Sequence, residues 1–316
     1  MPETLKNAPP EGLMLRTRLR RVRRRLGLTQ PSAQAQKPMD PASVMSRRRV
    51  FETLPDIPPC PEGWRTGAPD FVIFGSQKSG TTWWFRLIEQ HPDVVQPPKQ
   101  RPELHFFDRL WGTWPNDELI GSYHRYFPRP EGKLIGEKTP EYLSCAWAAP
   151  MVALAAPEAR AIVLLRDPVE RYVSGLSHQD RGGLIDEAEV EGERRTFGDR
   201  MRVVTDAIAR GQYATQIAWL AEAYPPERLL ILQYERCASD ADGQLSRTYE
   251  FLGLRPHRLP AEELARPRNM AKLEKLDVPA QHLDLLRRYY RPEVERLRDR
   301  MTDLDLSLWP NFSDLV

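Results

Sequence analysis

Two short stretches of the chain combine cations, hydroxyl groups and small residues in patterns suited to binding phosphate. The first, residues 75–82, reads G-S-Q-K-S-G-T-T and lies between an apolar run and a segment of helical character. Small residues let backbone N–H groups turn inward, and the N-terminus of the following helix adds partial positive charge. The second stretch, residues 166–174, reads R-D-P-V-E-R-Y-V-S and follows another apolar run. The two stretches predict a ligand with more than one phosphate group.

The first stretch departs from the loop that binds nucleoside triphosphates. That loop has two glycines separated by four residues, followed by lysine and then serine or threonine. Gly75 and Gly80 have this spacing, but Thr81 occupies the lysine position, and the lysine, Lys78, lies inside the turn. Thr82 keeps the hydroxyl position, whereas no strand-end aspartate suited to Mg²⁺ stands out. The pattern therefore favours transfer without a metal ion over kinase or ATPase chemistry.

The first stretch, extended by one residue to S-Q-K-S-G-T-T-W, resembles the 5′-phosphosulfate-binding loop of sulfotransferases that use 3′-phosphoadenosine 5′-phosphosulfate (PAPS). The second stretch resembles the 3′-phosphate element of that family, R-D-P-x-x-R-x-x-S. The resemblance implies that Arg166 and Ser174 bind the 3′-phosphate and that Trp83 stacks on the adenine. Gln77 replaces a more common proline or lysine, and we expect this change to be harmless. The implied ligands of the 5′-phosphosulfate are Lys78, Ser79, Gly80, Thr81 and Thr82.

Physical chemistry supports Arg166 without the resemblance. It follows a predicted strand, and open α/β sheets bind ligands at the carboxyl ends of their strands. The planar guanidinium also suits the geometry of a phosphate. Arg171, further along the helix, is expected to pair with a local acid such as Asp167. Trp84, next to the implied adenine contact, is expected to lie in the core.

A third stretch, residues 102–108, reads P-E-L-H-F-F-D and resembles the heparan-sulfate-type, carbohydrate-modifying branch of the same family. That branch implies Glu103 as the base that takes the acceptor's proton, with His105 in the same cleft. On an extended segment, residues two apart direct their side chains to one face. The E-K-T-P-x-Y element of the branch recurs at residues 137–142 and implies that Lys138 lines the active site. We expect Lys138 and Lys78 to stabilise the developing charge.

Later resemblance is weaker. The sequence R-P-R-N falls where relatives use a basic loop to close over the nucleotide, which makes Arg268 a further candidate ligand. The resemblance extends from about Asp70 to Trp309, and its specific motifs lie between residues 75 and 178.

The elements that position these motifs alternate along the chain. Apolar runs of the kind found in buried parallel strands are each followed by a helical segment, and Asp167 and Pro168 suit the start of the second helix. This order predicts an α/β fold with a central parallel sheet flanked by helices on both faces. The resemblance implies that this sheet is P-loop-like and that the fold is the sulfotransferase fold. The predicted strands are 71–74, 161–165 and 229–232, and the predicted helices are 81–90, 169–178, 239–252 and 279–301.

Charge and composition divide the chain. Residues 1–50 carry a net charge of +9 against +2 for the whole chain, so the remaining residues carry −7. We predict a basic, flexible arm and linker over residues 1–60 and a sulfotransferase domain over residues 61–316. A basic amphipathic helix at residues 13–28 could contact an anionic partner or a membrane surface. No apolar run reaches the length of a membrane span, and we expect no signal peptide, because no apolar run of suitable length lies next to the arginines.

The three cysteines are far apart and odd in number, which argues against disulfides and zinc and predicts a cytoplasmic protein. Each of them, Cys60, Cys145 and Cys237, is expected to be a buried thiol.

The acceptor is constrained by charge. Residues 180–193 hold six acids against one arginine, a net charge of −5. If this segment lines the cleft, it would repel an anionic polysaccharide, whereas on a solvated surface it would carry no such meaning. The charge favours a neutral sugar, a glycolipid or a glycosylated small molecule as acceptor, and no nucleic acid is expected to bind the catalytic domain. A P-loop kinase and a nucleotide-binding protein without catalytic activity remain as alternatives.

Overall fold

Four parallel strands form the centre of the fold, in the order β2-β1-β3-β4. The computed structural model describes residues 54–96, 103–110, 113–180, 204–264 and 278–316. Predictions for the helix at residues 13–28, for Arg268 and for the acids at residues 186–193 lie outside these ranges. The strands are β1 (Phe71–Gly75), β2 (Gly136–Lys138), β3 (Arg160–Leu165) and β4 (Leu229–Gln233).

Helices follow or connect the strands in the order that the alternating pattern predicts. The described α-helices are α1 (Thr81–Glu89), α2 (Asp117–His124), α3 (Ala148–Ala155), α4 (Pro168–Asp180), α5 (Tyr213–Ala223), α6 (Tyr234–Ser239), α7 (Ala241–Leu252), α8 (Ala261–Leu264) and α9 (Ala280–Arg298). Residues 204–209 are also helical. In the ranges that the structure describes, none of the helices is both long enough and apolar enough to cross a bilayer.

The sheet is covered on both faces, as predicted. Successive side chains of β1 point to opposite faces, so Val72 and Phe74 join a different apolar cluster from Phe71 and Ile73. Helices α3, α5 and α9 pack on the first of these faces, and α1 and α7 pack on the second. All five residues of β1 are buried, which explains why the strand reads as a continuous apolar run.

Strand β2 was not predicted, because three residues with a glycine and two charges carry no strand pattern. Its place beside β1 requires the glycine, since a Cβ on Gly136 would lie 2.2 Å from the Phe71 ring. This strand matters for the site because its last residue is Lys138.

The prediction that Trp84 belongs to the core is confirmed, since the ring is fully buried and its Nε1 donates to Thr248 Oγ1 at 3.2 Å. Cys145 and Cys237 are buried as expected, but the prediction for Cys60 was wrong. Cys60 is exposed because it lies in a proline-rich segment that precedes β1 and contributes nothing to the sheet.

Candidate active site

The loop between β1 and α1 leaves the first turn of the helix open to an anion. Gly80 is the N-cap residue of α1, so no side chain caps the helix, and no acid lies in its first turn. Gly80 has a φ of 79° and approaches Tyr234 so closely that a Cβ would lie 2.7 Å from the ring. The backbone conformation and this close approach both require glycine. Lys78 also adopts a left-handed conformation, with a φ of 69°.

Hydroxyl groups hold the inner side of this loop. Ser79 is fully buried, and its Oγ lies 3.1 Å from Ser76 Oγ. Ser76 Oγ in turn donates to the hydroxyl of Tyr213 at 3.3 Å. Thr82 points toward the other side, where its Oγ1 accepts a hydrogen bond from Lys138 Nζ at 3.0 Å. The loop is therefore anchored inside the fold and connected to β2.

The second stretch begins α4 as predicted. Asp167 Oδ1 accepts hydrogen bonds from the backbone N–H groups of Val169 at 2.9 Å and Glu170 at 3.2 Å. Arg166, just before the helix, donates from Nη1 to the carbonyl oxygen of Lys78 at 3.3 Å. The two stretches predicted to bind phosphate thus touch each other at the carboxyl ends of β1 and β3.

Tyr234, the first residue of α6, joins the same corner. Its ring lies against Gly80, and the guanidinium of Arg166 lies 5.2 Å from the ring centroid. Cation–π contact and the carboxylate of Glu170, 3.5 Å from Arg166 Nη2, orient the arginine. Sequence reasoning missed Tyr234, although its position two residues after a predicted strand was a signal.

The prediction that Arg171 pairs with Asp167 was wrong. The second carboxylate oxygen of Asp167 accepts two hydrogen bonds from Asn311, from the backbone N–H and from the side-chain amide, each at 3.0 Å. Arg171 is only 1% exposed and donates to the carbonyl oxygen of Ala207. Helix neighbour spacing failed here because residues distant in the sequence satisfy the Asp167 carboxylate.

The structure shows the positions of two further residues that the resemblance implies as nucleotide ligands, Ser174 and Trp83, but does not test those roles. Ser174 is half-buried on α4, two turns beyond Pro168. Trp83 is 6% exposed and meets Trp84 and Tyr234 edge-on, with centroid distances of 5.3 Å and 6.3 Å. The contact of Ser174 with a 3′-phosphate and the stacking of Trp83 on adenine stay predictions.

The residues implied as catalytic by the third stretch and by the E-K-T-P-x-Y element lie together. Lys138 Nζ lies 2.5 Å from Glu103 Oε1, and His105 Nε2 lies 3.5 Å from Glu103 Oε2. The other ring nitrogen of His105 lies 2.7 Å from Asp108 Oδ2. Since Lys138 also bonds Thr82, this cluster adjoins the phosphate loop. Asp108 carried no predicted role, although its place three residues after His105 was a signal.

The backbone conformation that brings the side chains of Glu103 and His105 together differs from the expected one. The segment is not a strand, and His105 has a φ of 51°, which is left-handed rather than extended. Alternation of side chains along an extended chain therefore does not place them on one face. The backbone turns at His105, and this turn lets one imidazole reach both Glu103 and Asp108.

Electrostatics keeps the cluster charged at neutral pH. Burial raises the pKa of Glu103, but the contact with His105 and the charge of Lys138 outweigh this effect and lower the pKa to about 2. The hydrogen bond with Asp108 and the contact with Glu103 raise the pKa of His105 to about 9, against the opposing effect of burial. Glu103 is thus a carboxylate held between two cations, one of which is an imidazolium.

We predict that the His105 imidazole titrates near pH 9 in the isolated protein, well above its ordinary value of 6.5. The raised pKa means that this charge stabilises the fold below pH 6.5 and that the stabilisation is lost as the pH rises through about 9. NMR titration of the histidine ring signals measures the midpoint. The Asp108→Asn variant should titrate lower, and an unchanged midpoint in that variant would contradict the assignment.

Gln77, the departure from the family loop, has a partner of its own. Its Oε1 accepts a hydrogen bond from Arg210 Nη1. Arg210 Nη2 lies 3.0 Å from a carboxylate oxygen of Glu141 and 2.7 Å from Asp206 Oδ2. Arg210 therefore ties the phosphate loop to the segment after β2. Sequence reasoning missed Arg210, because no motif contains it.

Comparisons with known proteins agree with this architecture. The sulfotransferase-domain family model matches residues 68–278. Heparan sulfate glucosamine 3-O-sulfotransferase 3B1 of Homo sapiens is 31% identical over 193 residues, which cover 59% of this chain and 46% of that protein. Heparan sulfate glucosamine 3-O-sulfotransferase 6 of Mus musculus is 26% identical over 231 residues, covering 72% and 65%. The chain thus spans less than two thirds of the length of either relative.

Among solved structures, a sulfotransferase from Alicyclobacillus acidocaldarius matches with a TM-score of 0.59 and 23% identity, covering 77% of this chain and 99% of that one. This likeness supports the predicted fold. The family model covers well over half of the chain and includes both stretches predicted to bind phosphate and the charged cluster. The chain is therefore a member of the sulfotransferase-domain family, and its fold is the α/β sulfotransferase fold.

Proposed function

We propose that this chain transfers a sulfuryl group from PAPS to a hydroxyl or amine of a carbohydrate-bearing acceptor. The observation that carries the proposal is the junction of the two phosphate-binding stretches, where Arg166 bonds the Lys78 carbonyl, next to the cluster of Glu103 and Lys138. Thr82 links the junction to the cluster through its bond with Lys138. Phosphate-binding groups and a proton acceptor thus lie side by side, as group transfer requires.

The residues at the junction fit a nucleotide phosphorylated at two positions. The uncapped N-terminus of α1 offers backbone N–H groups to one anionic group, and Lys78 lies in the same turn. Arg166 offers a guanidinium to a second phosphate, assisted by the implied contact with Ser174. When bound, PAPS supplies the sulfuryl group and a phosphate as leaving group. Arg268 belongs to this proposal only through the family resemblance.

Within the cluster, Glu103 is the proposed base. It would take the proton from the acceptor hydroxyl while Lys78 and Lys138 stabilise negative charge. A carboxylate with a pKa of about 2 is a weak base, and the charge of Lys138 is among the causes of that value. Any anion that Lys138 contacts in place of Glu103 therefore raises the basicity of Glu103. His105 stays paired with Asp108 and orients the other carboxylate oxygen.

The proposed acceptor carries a neutral sugar, as a glycolipid or a glycosylated small molecule does. The relatives are named for heparan sulfate glucosamine, which supports a carbohydrate. The negative charge of the chain beyond residue 50 disfavours a strongly anionic polymer. Transfer to paired neutral and sulfated oligosaccharides tests this choice, and faster transfer to the sulfated member would overturn it. The cytoplasmic location stays a prediction.

The donor assignment is tested by calorimetric titration with adenosine 3′,5′-bisphosphate and, separately, with ATP and Mg²⁺. We expect tight binding of the bisphosphate without added metal and none of ATP. A preference for ATP with Mg²⁺ would support a P-loop kinase instead, and bisphosphate binding without transfer to any acceptor would support a nucleotide-binding protein.

We predict that Arg166→Ala weakens binding of the bisphosphate about 10- to 100-fold, because it removes charge-assisted hydrogen bonds worth roughly 1.5–3 kcal/mol. The control is Arg255→Ala, which removes an exposed arginine that pairs with Asp93, at 2.7 Å. This control should bind like the wild type. Unchanged affinity in Arg166→Ala would refute the 3′-phosphate assignment.

A further inference from the structure

A buried carboxylate lies directly before Lys138 in the chain. Glu137 is 3% exposed on β2, and three hydroxyl groups donate to it. Tyr142 donates to Oε1 at 2.8 Å, Thr139 donates to the same oxygen at 2.9 Å, and Tyr123 donates to Oε2. These donors are neutral, and burial raises the pKa of Glu137 to about 7. Burying such a group is costly, so its contacts call for an explanation.

Tyr142 links this carboxylate to the third stretch. Its hydroxyl accepts hydrogen bonds from the backbone N–H groups of Phe106 at 3.1 Å and Phe107 at 3.4 Å. A hydroxyl has a single proton to donate. Because the Tyr142 hydroxyl donates that proton in its hydrogen bond to Glu137, the lone pairs of the Tyr142 oxygen face the two N–H groups. A chain of hydrogen bonds therefore runs from Glu137 to the backbone between His105 and Asp108.

The segment that receives these bonds needs such support. His105 has a φ of 51°, a conformation that a residue other than glycine keeps only when its surroundings impose it. The two phenylalanine rings that follow pack against Tyr123, with centroid distances of 5.2 Å for Phe106 and 4.7 Å for Phe107. The hydroxyl of Tyr123 also donates to Glu137. Glu137 thus fixes two tyrosines that hold the same segment.

We propose that Glu137 is a positioning residue, which acts through Tyr142 to fix the backbone at residues 105–108 and so keeps Glu103 and His105 beside Lys138. The inference rests on the proposed function, because that function makes Glu103 and Lys138 the reacting cluster. Within the described residues, the side chain of Glu137 hydrogen-bonds to the hydroxyl groups of Tyr123, Thr139 and Tyr142 and to no member of that cluster. Its effect on the cluster therefore passes through the tyrosine.

The test compares two tyrosine variants that each lose one buried hydroxyl. Tyr142→Phe removes the group that joins Glu137 to the segment. Tyr224→Phe is the matched control, because both rings pack on Phe74, at 6.1 Å for Tyr142 and 5.4 Å for Tyr224. The Tyr224 hydroxyl is buried without a hydrogen-bond partner in the described part of the chain. Glu137→Gln is a third variant, which serves if Tyr142→Phe fails to fold.

We expect Tyr142→Phe to lower kcat on the order of 10–100-fold, since small misplacement of reacting groups has effects of this size. Affinity for adenosine 3′,5′-bisphosphate should not change. The NMR titration midpoint of His105 should fall below its wild-type value as the contacts with Asp108 and Glu103 loosen. Tyr224→Phe should match the wild type in all three measurements, and Glu137→Gln should shift them in the direction of Tyr142→Phe.

Wild-type kcat and an unchanged His105 midpoint in folded Tyr142→Phe or Glu137→Gln would overturn the positioning role. Equal losses in Tyr142→Phe and Tyr224→Phe would also overturn it, because they would reflect general loosening of the core. The His105 titration needs no turnover. A wild-type protein that transfers no sulfuryl group would therefore refute the proposed function while the midpoints still test the link from Glu137 to His105.

Discussion

Glu103→Gln will lower kcat by about 10²–10⁴-fold, the range typical for loss of a general base. The amide keeps the size of the side chain but cannot take the acceptor's proton. Binding of adenosine 3′,5′-bisphosphate should remain nearly unchanged, because the substitution removes the proposed base and none of the proposed nucleotide ligands. The measurement is steady-state kinetics at saturating PAPS, combined with calorimetry of the bisphosphate.

The same variant has a second consequence that does not depend on turnover. Glu103 is one of the two acids that raise the pKa of His105, so the His105 midpoint should fall from about 9 in Glu103→Gln. The control is Glu222→Gln, an exposed glutamate on α5. Wild-type turnover in Glu103→Gln would show that another group is the base, whereas a fall in bisphosphate affinity as large as that in kcat would mean that Glu103 acts in nucleotide binding.

The fold was predictable where it depends on residues that are adjacent in the sequence. Strands β1 and β4 are apolar runs that end in glycine or glutamine, β3 is an apolar run followed by an arginine, and buried parallel strands have this composition. The start of α4 follows from Asp167 and Pro168, because capping depends on adjacent residues. The two stretches predicted to bind phosphate could be recognised for the same reason, because each is a contiguous run of residues. Each could be read without knowing what packs against it.

What escaped prediction depends on contacts between distant segments. Tyr234 approaches Gly80 across the sheet, and Tyr142 holds the backbone at Phe106 although the two are 36 residues apart. The partner of Arg171 was mistaken because Asn311, near the end of the chain, takes the place beside Asp167. Motif spacing carries no information about such neighbours, since tertiary packing selects them.

The charged cluster lies between these two cases. Glu103, His105 and Lys138 were assembled from two separate motifs by resemblance, and the structure brings their side chains together. The geometric reason offered for the pair was wrong, since the backbone at His105 is left-handed and not extended. Resemblance can thus identify the members of a site while the conformation that unites them requires the structure.

Lys78→Met will lower kcat by about 10²–10³-fold, the range seen when one group that stabilises developing charge is removed. Methionine keeps an unbranched apolar stem but loses the ammonium group of a residue in the turn that precedes the uncapped N-terminus of α1. Because this charge matters most as the leaving phosphate becomes more negative, the loss in kcat should exceed the loss in bisphosphate affinity.

Arg166→Ala should show the opposite balance, with affinity falling more than kcat, since the guanidinium of Arg166 is proposed to bind the second phosphate. Kinetics and calorimetry on both variants separate the two roles. The control is Lys133→Met, which removes a lysine outside the proposed site whose Nζ lies 3.0 Å from the Asp93 carboxylate. Equal losses of affinity and turnover in Lys78→Met would mean that Lys78 binds the nucleotide without favouring the transition state. The turn would then act in binding alone, and the charge on the leaving phosphate would have to be stabilised by Lys138.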